Sequence, residues 1–207
     1  HNPRWFHAKP VSGVARMLWE NGYGFDYVSD RQVSTLEADA AGRIAAPGAT
    51  YQTIVVPQTT HMPLETMQAL IELAEAGATV ILDGGLPSDV PGLADLAERR
   101  AQFRALLVPL RFETVSEDVR EARRGRGRIL TGNSLSALLG AAGVRREALV
   151  DHEGLRFIRR ARTGGYDYFI SHAGSAPFDG WLPLAVPASA AGLMDPATGR
   201  TGLAQVR

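Results

Sequence analysis

The chain has 207 residues, of which 45% are hydrophobic and 21% charged, and its 22 basic and 22 acidic residues leave no net charge. This composition is typical of a globular protein and argues against a general binder of nucleic acid or of anionic membranes. No apolar run reaches the roughly 18 residues that a membrane span needs. The absence of cysteine excludes disulfides, thiolate metal sites and cysteine nucleophiles.

The N-terminal part of the sequence predicts short elements. We expect a helix over 11–20, a strand over 25–28, a short helix that begins at Ser29 or Asp30, and an edge strand within 42–48. The sequence begins without an initiating Met, so we expect a piece of a longer protein whose localisation signals lie elsewhere.

The next part of the sequence carries the clearest pattern. A run rich in β-branched residues at 53–56 predicts a buried parallel strand, and a second apolar run without alternation follows at 78–82. Between them, apolar residues at helical spacing lie between Pro63, which suits a first helical turn, and Gly77, which suits a helix end. A strand–helix–strand unit of this length predicts a partly parallel sheet covered by helices.

Downstream of this unit, the pattern predicts alternating elements up to about residue 150. An amphipathic helix over 93–107 is expected first. The basic, glycine-bearing segment at 120–128 is interpreted as a solvated loop, because a phosphate-binding loop would open a helix rather than a strand. The remaining predicted elements are strands at 111–115 and 128–130, a helix over 134–140 and a helical turn or two within 144–150.

The pattern changes after Asp151. Alternating residues at 155–160 and 166–172, separated by a Gly-Gly turn, predict a β-hairpin, and 178–186 is predicted as a third extended run. We therefore predict an α/β domain over 1–150 and an antiparallel β region over 151–207.

Two residues are the candidates for ligand binding. Ligands of parallel sheets lie beyond the carboxyl ends of the strands, which here are 57–61 and 83–87. His61 and Asp83 are the candidate substrate-binding side chains of these two loops. The ordinary alternatives are a loop histidine that caps the next helix and an aspartate that caps a tight glycine turn.

No catalytic or metal-binding set is predicted from the residue pattern. The five histidines, at 1, 7, 61, 152 and 172, include no pair at the spacing of a helical zinc motif. One aspartate in the turn at 195–199 is too little for calcium. Glycoside hydrolysis would need two carboxylates that flank a sugar, and the many acidic residues here single out no such pair.

Eight short segments occur in a characteristic order: NGYGFDYVSD at 21–30, YQTIVVP at 51–57, MPLETM at 62–67, LAEAGATV at 73–80, GRIL at 127–130, RFIRR at 156–160, YFISH at 168–172 and LMDPATG at 193–199. Together they resemble bacterial α-L-rhamnosidase-like glycoside hydrolases of family 106. The resemblance implies an inverting hydrolase that uses two glutamates, often with calcium, in a large secreted or periplasmic enzyme that degrades polysaccharide.

The resemblance also implies a place within such an enzyme. A catalytic barrel is expected upstream, so 1–150 would be a flavodoxin-like domain with helices on both faces, similar to amidotransferase domains and to the trimerisation domain of some β-galactosidases. Residues 151–207 would begin a β-sandwich. Cysteine-dependent amide hydrolysis is excluded, because the turn that holds the amidotransferase nucleophile carries Asp83 here.

The leading hypothesis is therefore a non-catalytic domain that supports, and lines the cleft of, a glycoside hydrolase acting on α-L-rhamnosides or related deoxysugars. The catalytic carboxylates would lie outside this segment, and any calcium would belong to the parent enzyme. Carbohydrate and neighbouring domains of the same chain are the expected partners. The alternatives are a stand-alone carbohydrate-binding module and a homo-oligomerisation module.

Overall fold

A computed structural model describes residues 9–207 of the chain. His1 and His7 lie outside the described residues. The described helices are α1 (Pro10–Glu20), α2 (Asp30–Val33), α3 (Leu64–Glu75), α4 (Leu96–Leu107) and α5 (Leu135–Ala141), with a 3₁₀ turn at Ala148–Asp151. The strands are β1 (Glu37–Ala38), β2 (Ile44–Ala46), β3 (Ala49–Tyr51), β4 (Thr53–Val56), β5 (Thr79–Asp83), β6 (Glu113–Ser116), β7 (Val119–Arg124), β8 (Gly127–Gly132), β9 (Leu155–Arg162), β10 (Gly165–His172), β11 (Ala191–Met194) and β12 (Thr201–Ala204).

The chain divides into two compact units. One comprises Phe25–Val144 with the described part of His1–Arg16, and the other comprises Met17–Gly24 with Arg145–Arg207. The first holds a mixed five-stranded sheet in the order β4-β5-β8-β7-β6 and a small antiparallel sheet of β1, β2 and β3. The second holds two antiparallel hairpins, β9–β10 and β11–β12. The fold class is therefore mixed α/β with additional small antiparallel sheets.

The five-stranded sheet is parallel on one side and antiparallel on the other. β4, β5 and β8 run parallel, with Thr53 opposite Thr79 and Thr79 opposite Arg128. β7 pairs antiparallel with β8, and β6 pairs antiparallel with β7. The predicted strand–helix–strand unit is confirmed.

Apolar side chains cover both faces of this sheet. Met67, Leu70 and Ala74 of α3 are fully buried in the cluster that also holds Val80 and Leu82 of β5, together with Phe103 of α4. Because side chains alternate along a strand, Ile81 and Leu130 point to the other face, where α5 contacts β5 and β8. α5 begins at Ser134, whose side chain accepts a hydrogen bond from the Ala137 N–H.

The basic segment at 120–128 was wrongly predicted as a loop. It forms β7 and the start of β8, joined by a tight turn between Arg124 and Gly127. Part of its charge is paired: Glu121, only 11% exposed, forms ion pairs with Arg123 and Arg128, and Arg124 forms one with Glu75 of α3. Arg123 itself remains 87% exposed, so the segment is a strand that keeps some of its charged side chains in water.

Two other boundaries differ from prediction for local reasons. Residues 25–28 form no strand, because no neighbouring strand pairs with them in the described chain. α4 begins at Leu96 rather than near Leu93, which is 88% exposed. Arg99 explains the late start, since its guanidinium donates to three carbonyls of the preceding turn, those of Pro91, Gly92 and Ala94.

The second unit has a small core of its own. Leu149, Val150 and Leu155 are buried, and Phe157, Tyr168 and Ile170 of the β9–β10 hairpin pack against them. The predicted hairpin is confirmed, with Gly165 opposite Arg162 and His172 opposite Leu155. The third run, 178–186, is not a strand, and Pro183 within it lacks the N–H donor that a strand needs.

None of the helices described over 9–207 is both long and apolar enough to span a membrane.

Candidate functional site

The candidate site lies where β4, β5 and β8 end. Parallel strands end at one edge, so the loops that begin at Pro57, Gly84 and Asn133 leave the sheet side by side. The Gly84 N–H donates to the Gly132 carbonyl over 2.8 Å, which ties the ends of β5 and β8 together. A close fit joins the first two loops as well, because a Cβ added at Gly84 would come within 2.9 Å of the Gln58 side chain.

Asp83 is the last residue of β5, the central strand of the three. Its side chain is half-buried, and burial raises the pKa of its carboxyl. Within residues 9–207 its carboxylate forms neither a hydrogen bond nor an ion pair. Gly84 and Gly85 turn the chain away with φ of 77° and 120°, which glycine adopts without strain. The turn therefore leaves a partly desolvated carboxylate without an internal partner.

His61 lies on the neighbouring loop but contacts a different carboxylate. It forms an isolated parallel bridge with Asp89, and its Nε2 lies 3.9 Å from Asp89 Oδ2. The His61 side chain is 57% exposed. In the described part of the chain no hydrogen bond or ion pair joins His61 to Asp83, so the structure places the two predicted residues on one edge without direct contact.

Asp89 fixes the loops around this edge, and the residue pattern gave no sign of it. Its backbone accepts from the Met62 N–H over 3.0 Å, and its own N–H donates to the Thr60 carbonyl over 3.1 Å. Its carboxylate accepts from Arg100 Nε at 2.7 Å and from the Val90 N–H at 2.8 Å. The hydrogen bonds from Arg100 and then from Val90 hold the pKa of the Asp89 carboxyl well below its usual range. No spacing links residues 89 and 100 in the sequence, so only the fold reveals this pair.

The most deeply buried acid of the described chain lies in the second unit. Glu147, with a side chain 2% exposed, forms an ion pair with Arg159 and accepts from the Tyr168 hydroxyl at 2.7 Å. Its other oxygen accepts from the Ala185 N–H at 2.7 Å. Burial first, and then the bond to Glu147, raise the pKa of Tyr168. Glu147 is therefore fully occupied by internal donors.

The described carboxylates differ in how they could serve an acid–base reaction. The pKa is lowered for Asp39, Asp89, Asp151 and Asp195, each held by hydrogen bonds, whereas burial raises it for Asp83. A general acid needs a raised pKa and a companion carboxylate across the substrate. Asp83 meets the first condition and lacks a carboxylate partner within its hydrogen-bonding reach.

A calcium site does not fit the described residues. Calcium takes six to eight oxygen ligands, several of them carboxylates. Over residues 9–207 no group of three or more His, Asp and Glu side chains could hold a metal ion. The Asp195 carboxylate accepts from Thr198 and the Ala197 N–H, which makes it the cap of a turn.

Comparison with protein families decides the relationship. The family model described as alpha-L-rhamnosidase, glycoside hydrolase family 106, matches residues 14–206. The chain belongs to the α-L-rhamnosidase family. The match covers nearly all of both units, and it confirms the rhamnosidase-like resemblance. A search of curated proteins gave no match. This α-L-rhamnosidase-family chain is thus a glycoside-hydrolase-related domain whose parallel-sheet edge carries a free aspartate.

Proposed function

We propose that the chain is a non-catalytic supporting domain of a glycoside hydrolase that acts on α-L-rhamnosides or related deoxysugars. The observation that carries this proposal is the family match over 14–206, taken together with Asp83, the one carboxyl of residues 9–207 whose pKa is raised. Glycoside hydrolysis divides its work between two carboxylates, one acid and one base or nucleophile. We infer that both come from another part of the enzyme.

The proposal extends to the architecture of that enzyme. The first unit would be a flavodoxin-like domain similar to the trimerisation domain of some β-galactosidases, and the second would begin a β-sandwich. The mixed sheet with helices on both faces supports the former, and the two hairpins support the latter. A secreted or periplasmic bacterial enzyme is the setting that agrees with polysaccharide as the substrate.

Within this setting, Asp83 would line the cleft and accept hydrogen bonds from sugar hydroxyls. A half-buried carboxylate costs free energy unless a donor reaches it, and within residues 9–207 no donor does. A sugar offers several hydroxyl donors close together. His61, exposed on the adjoining loop, would border the same sugar.

The first test is hydrolysis of p-nitrophenyl α-L-rhamnoside by the purified 207-residue chain. No release of nitrophenol above a buffer blank is expected at any protein concentration, because residues 9–207 place no second carboxylate beside Asp83. Turnover that scales with protein concentration would overturn the non-catalytic assignment.

The second test uses the longer enzyme that carries this domain. Asp83→Asn should raise KM about 10- to 150-fold, the value of one lost hydrogen bond to a charged group, and leave kcat unchanged, because uniform binding energy is lost. Asp118→Asn is the matched control, since Asp118 is exposed and its carboxylate forms no hydrogen bond within residues 9–207. An unchanged KM for Asp83→Asn would remove Asp83 from the cleft.

A stand-alone carbohydrate-binding module is the second candidate, and the free Asp83 carboxylate favours it too. Titration calorimetry of the isolated chain with L-rhamnose separates the two. Heat of binding that Asp83→Asn abolishes would establish an autonomous site, whereas binding only in the longer enzyme would support a shared cleft.

A further inference from the structure

The segment between β10 and β11, residues 173–190, is long and irregular. It contains no helix or strand and exceeds the roughly 12–15 residues beyond which such loops are usually functional lids or binding loops, or disordered. Ala173 N–H donates to the Gly154 carbonyl at its start. Further along, the one hydrogen bond that the structure records from this segment to the rest of the described chain is the one from Ala185 N–H to Glu147.

Apolar contacts complete the attachment of this segment. Phe178, Leu182 and Leu184 pack on the small core that the β9–β10 hairpin covers. Phe178 also meets the His152 ring edge-on, with the centroids 4.9 Å apart. Trp181 is 44% exposed, and the Arg207 guanidinium lies 4.1 Å from the centroid of its ring. Three apolar side chains, one cation–π contact and two hydrogen bonds, those donated by Ala173 and Ala185, thus hold the segment down.

Glu147 is the fixed acceptor of the hydrogen bond from the Ala185 N–H, and we call it the anchor of the segment. It is fixed independently of the segment, by Arg159 of β9, by the Tyr168 hydroxyl of β10, and by its own N–H, which donates to the Gly22 carbonyl over 2.8 Å. Loss of the Ala185 bond would leave Glu147 with its cationic and hydroxyl partners. The anchor therefore survives when the segment leaves, which makes reversible release feasible.

We propose that residues 173–190 form a strap that opens and closes over the inner face of the β9–β10 hairpin, with the bond from Ala185 N–H to the Glu147 carboxylate as its latch. Opening uncovers the apolar inner face of the hairpin, including Phe157 and Ile170, and carries Trp181 away from its closed position. Local opening is easiest where a segment makes few hydrogen bonds to the rest of the fold, and the structure records two between this segment and the rest of the described chain. The proposal does not depend on the proposed function.

A single engineered thiol measures the opening directly, because the chain has no cysteine of its own. Leu182→Cys places the thiol on the inward side of the strap, where Leu182 packs on the small core, and its reaction with Ellman's reagent reports the open fraction. In this background Ala185→Pro removes the latch donor, and the rate should rise about 10-fold or more, the value of a hydrogen bond to a charged group. Ala188→Pro is the matched control, because Ala188 is exposed and its N–H donates to no group in the described chain.

A second pair of variants tests the anchor. Glu147→Gln should raise the thiol rate, whereas Glu153→Gln, which removes an exposed charge nearby, should leave it unchanged. Equal rates in Ala185→Pro and Ala188→Pro would overturn the latch.

Hydrogen exchange of the β9–β10 amides in Ala185→Pro distinguishes opening from unfolding. Protection of the hairpin should persist while the thiol reacts faster. Loss of hairpin protection in proportion to the thiol rate would mean that the unit unfolds as a whole, and it would overturn the strap.

Discussion

Asp83 illustrates how a residue's position at the end of a strand can set its chemistry. Its half-buried carboxylate has no partner among residues 9–207, and burial raises its pKa, so the folded chain favours the neutral form. At neutral pH the carboxylate is ionised although its burial disfavours the charge. The residue therefore lowers the free energy of unfolding, as residues of binding sites often do.

The raised pKa of Asp83 makes the stability of the protein depend on pH. Since folding raises the pKa of Asp83, the folded state binds more protons, and the contribution of this residue to stability falls as pH rises from the unfolded pKa through the folded one. Asp83→Asn should therefore be more stable than wild type at pH 7, with a gain that shrinks toward pH 4. Urea unfolding at both pH values measures it; a gain that is equal at both, or a loss at pH 7, would contradict this interpretation.

The sequence could locate this edge but not all of its residues. β-branched runs that end at Pro57 and Asp83 are local patterns, so the loops and their two polar side chains could be predicted. Asp89 meets Arg100 through the packing of a helix on a loop, and Glu147 meets Tyr168 across a hairpin. Contacts of this kind depend on how elements pack together. The spacing of residues along a single sequence does not predict them.

Among the elements, β8 shows how glycine permits close approach of strands and turns. A Cβ at Gly132 would lie 1.8 Å from the Asp118 carbonyl oxygen, which belongs to the turn between β6 and β7. Gly140, in α5, would meet nothing within 4 Å. The fold therefore has no room for a side chain at position 132, whereas position 140 has room for one.

Substitution by alanine should separate them. Gly132→Ala should destabilise the fold by about 1–3 kcal/mol, because the turn must move to relieve the overlap. Gly140→Ala should stabilise it by about 0.5–1 kcal/mol, because alanine loses less backbone entropy in a helix. Urea midpoints at a common m-value give both quantities, and a neutral Gly132→Ala would show that the turn adapts without cost.

Element types followed from sequence wherever periodicity was strong, as in α3. They failed at β7, where no two-residue period exists. The buried residues Val119 and Ala122 lie three positions apart, and the strand also carries charged residues whose partners lie on β8 and α3. Composition alone classed that segment as solvated, because an arginine paired across strands looks the same in sequence as one in water.

At the scale of the whole molecule, each compact unit has its own core. The large cluster runs from Val33 to Ile129, and the small one joins Leu149, Val150 and Leu155. No residue belongs to both clusters. The change of pattern near residue 151 could be read from the sequence, whereas the grouping of Met17–Gly24 with the second unit could not, since it depends on contacts such as that between Glu147 and Gly22.

Because each unit has its own core, a cavity made in one core should destabilise mainly that unit. Phe103→Ala should cost about 3–5 kcal/mol and Leu149→Ala about 2–5 kcal/mol, as buried side chains are removed. Hydrogen exchange should localise the first loss to β4, β5 and β8 and the second to β9 and β10. Exchange that increases equally in both units for either variant would show that the two cores are energetically coupled.

β8 has one neighbour close along the chain and one far away. Its hairpin with β7 closes between Arg124 and Gly127, whereas its parallel ladder begins where Thr79 lies opposite Arg128. Hairpins form within microseconds, but a distant pairing must first meet the entropy of closing a long loop. We therefore expect the antiparallel half of the sheet to form first and the pairing of β5 with β8 to follow. On this order, the edge that carries Asp83 is completed late, after the rest of its sheet has formed.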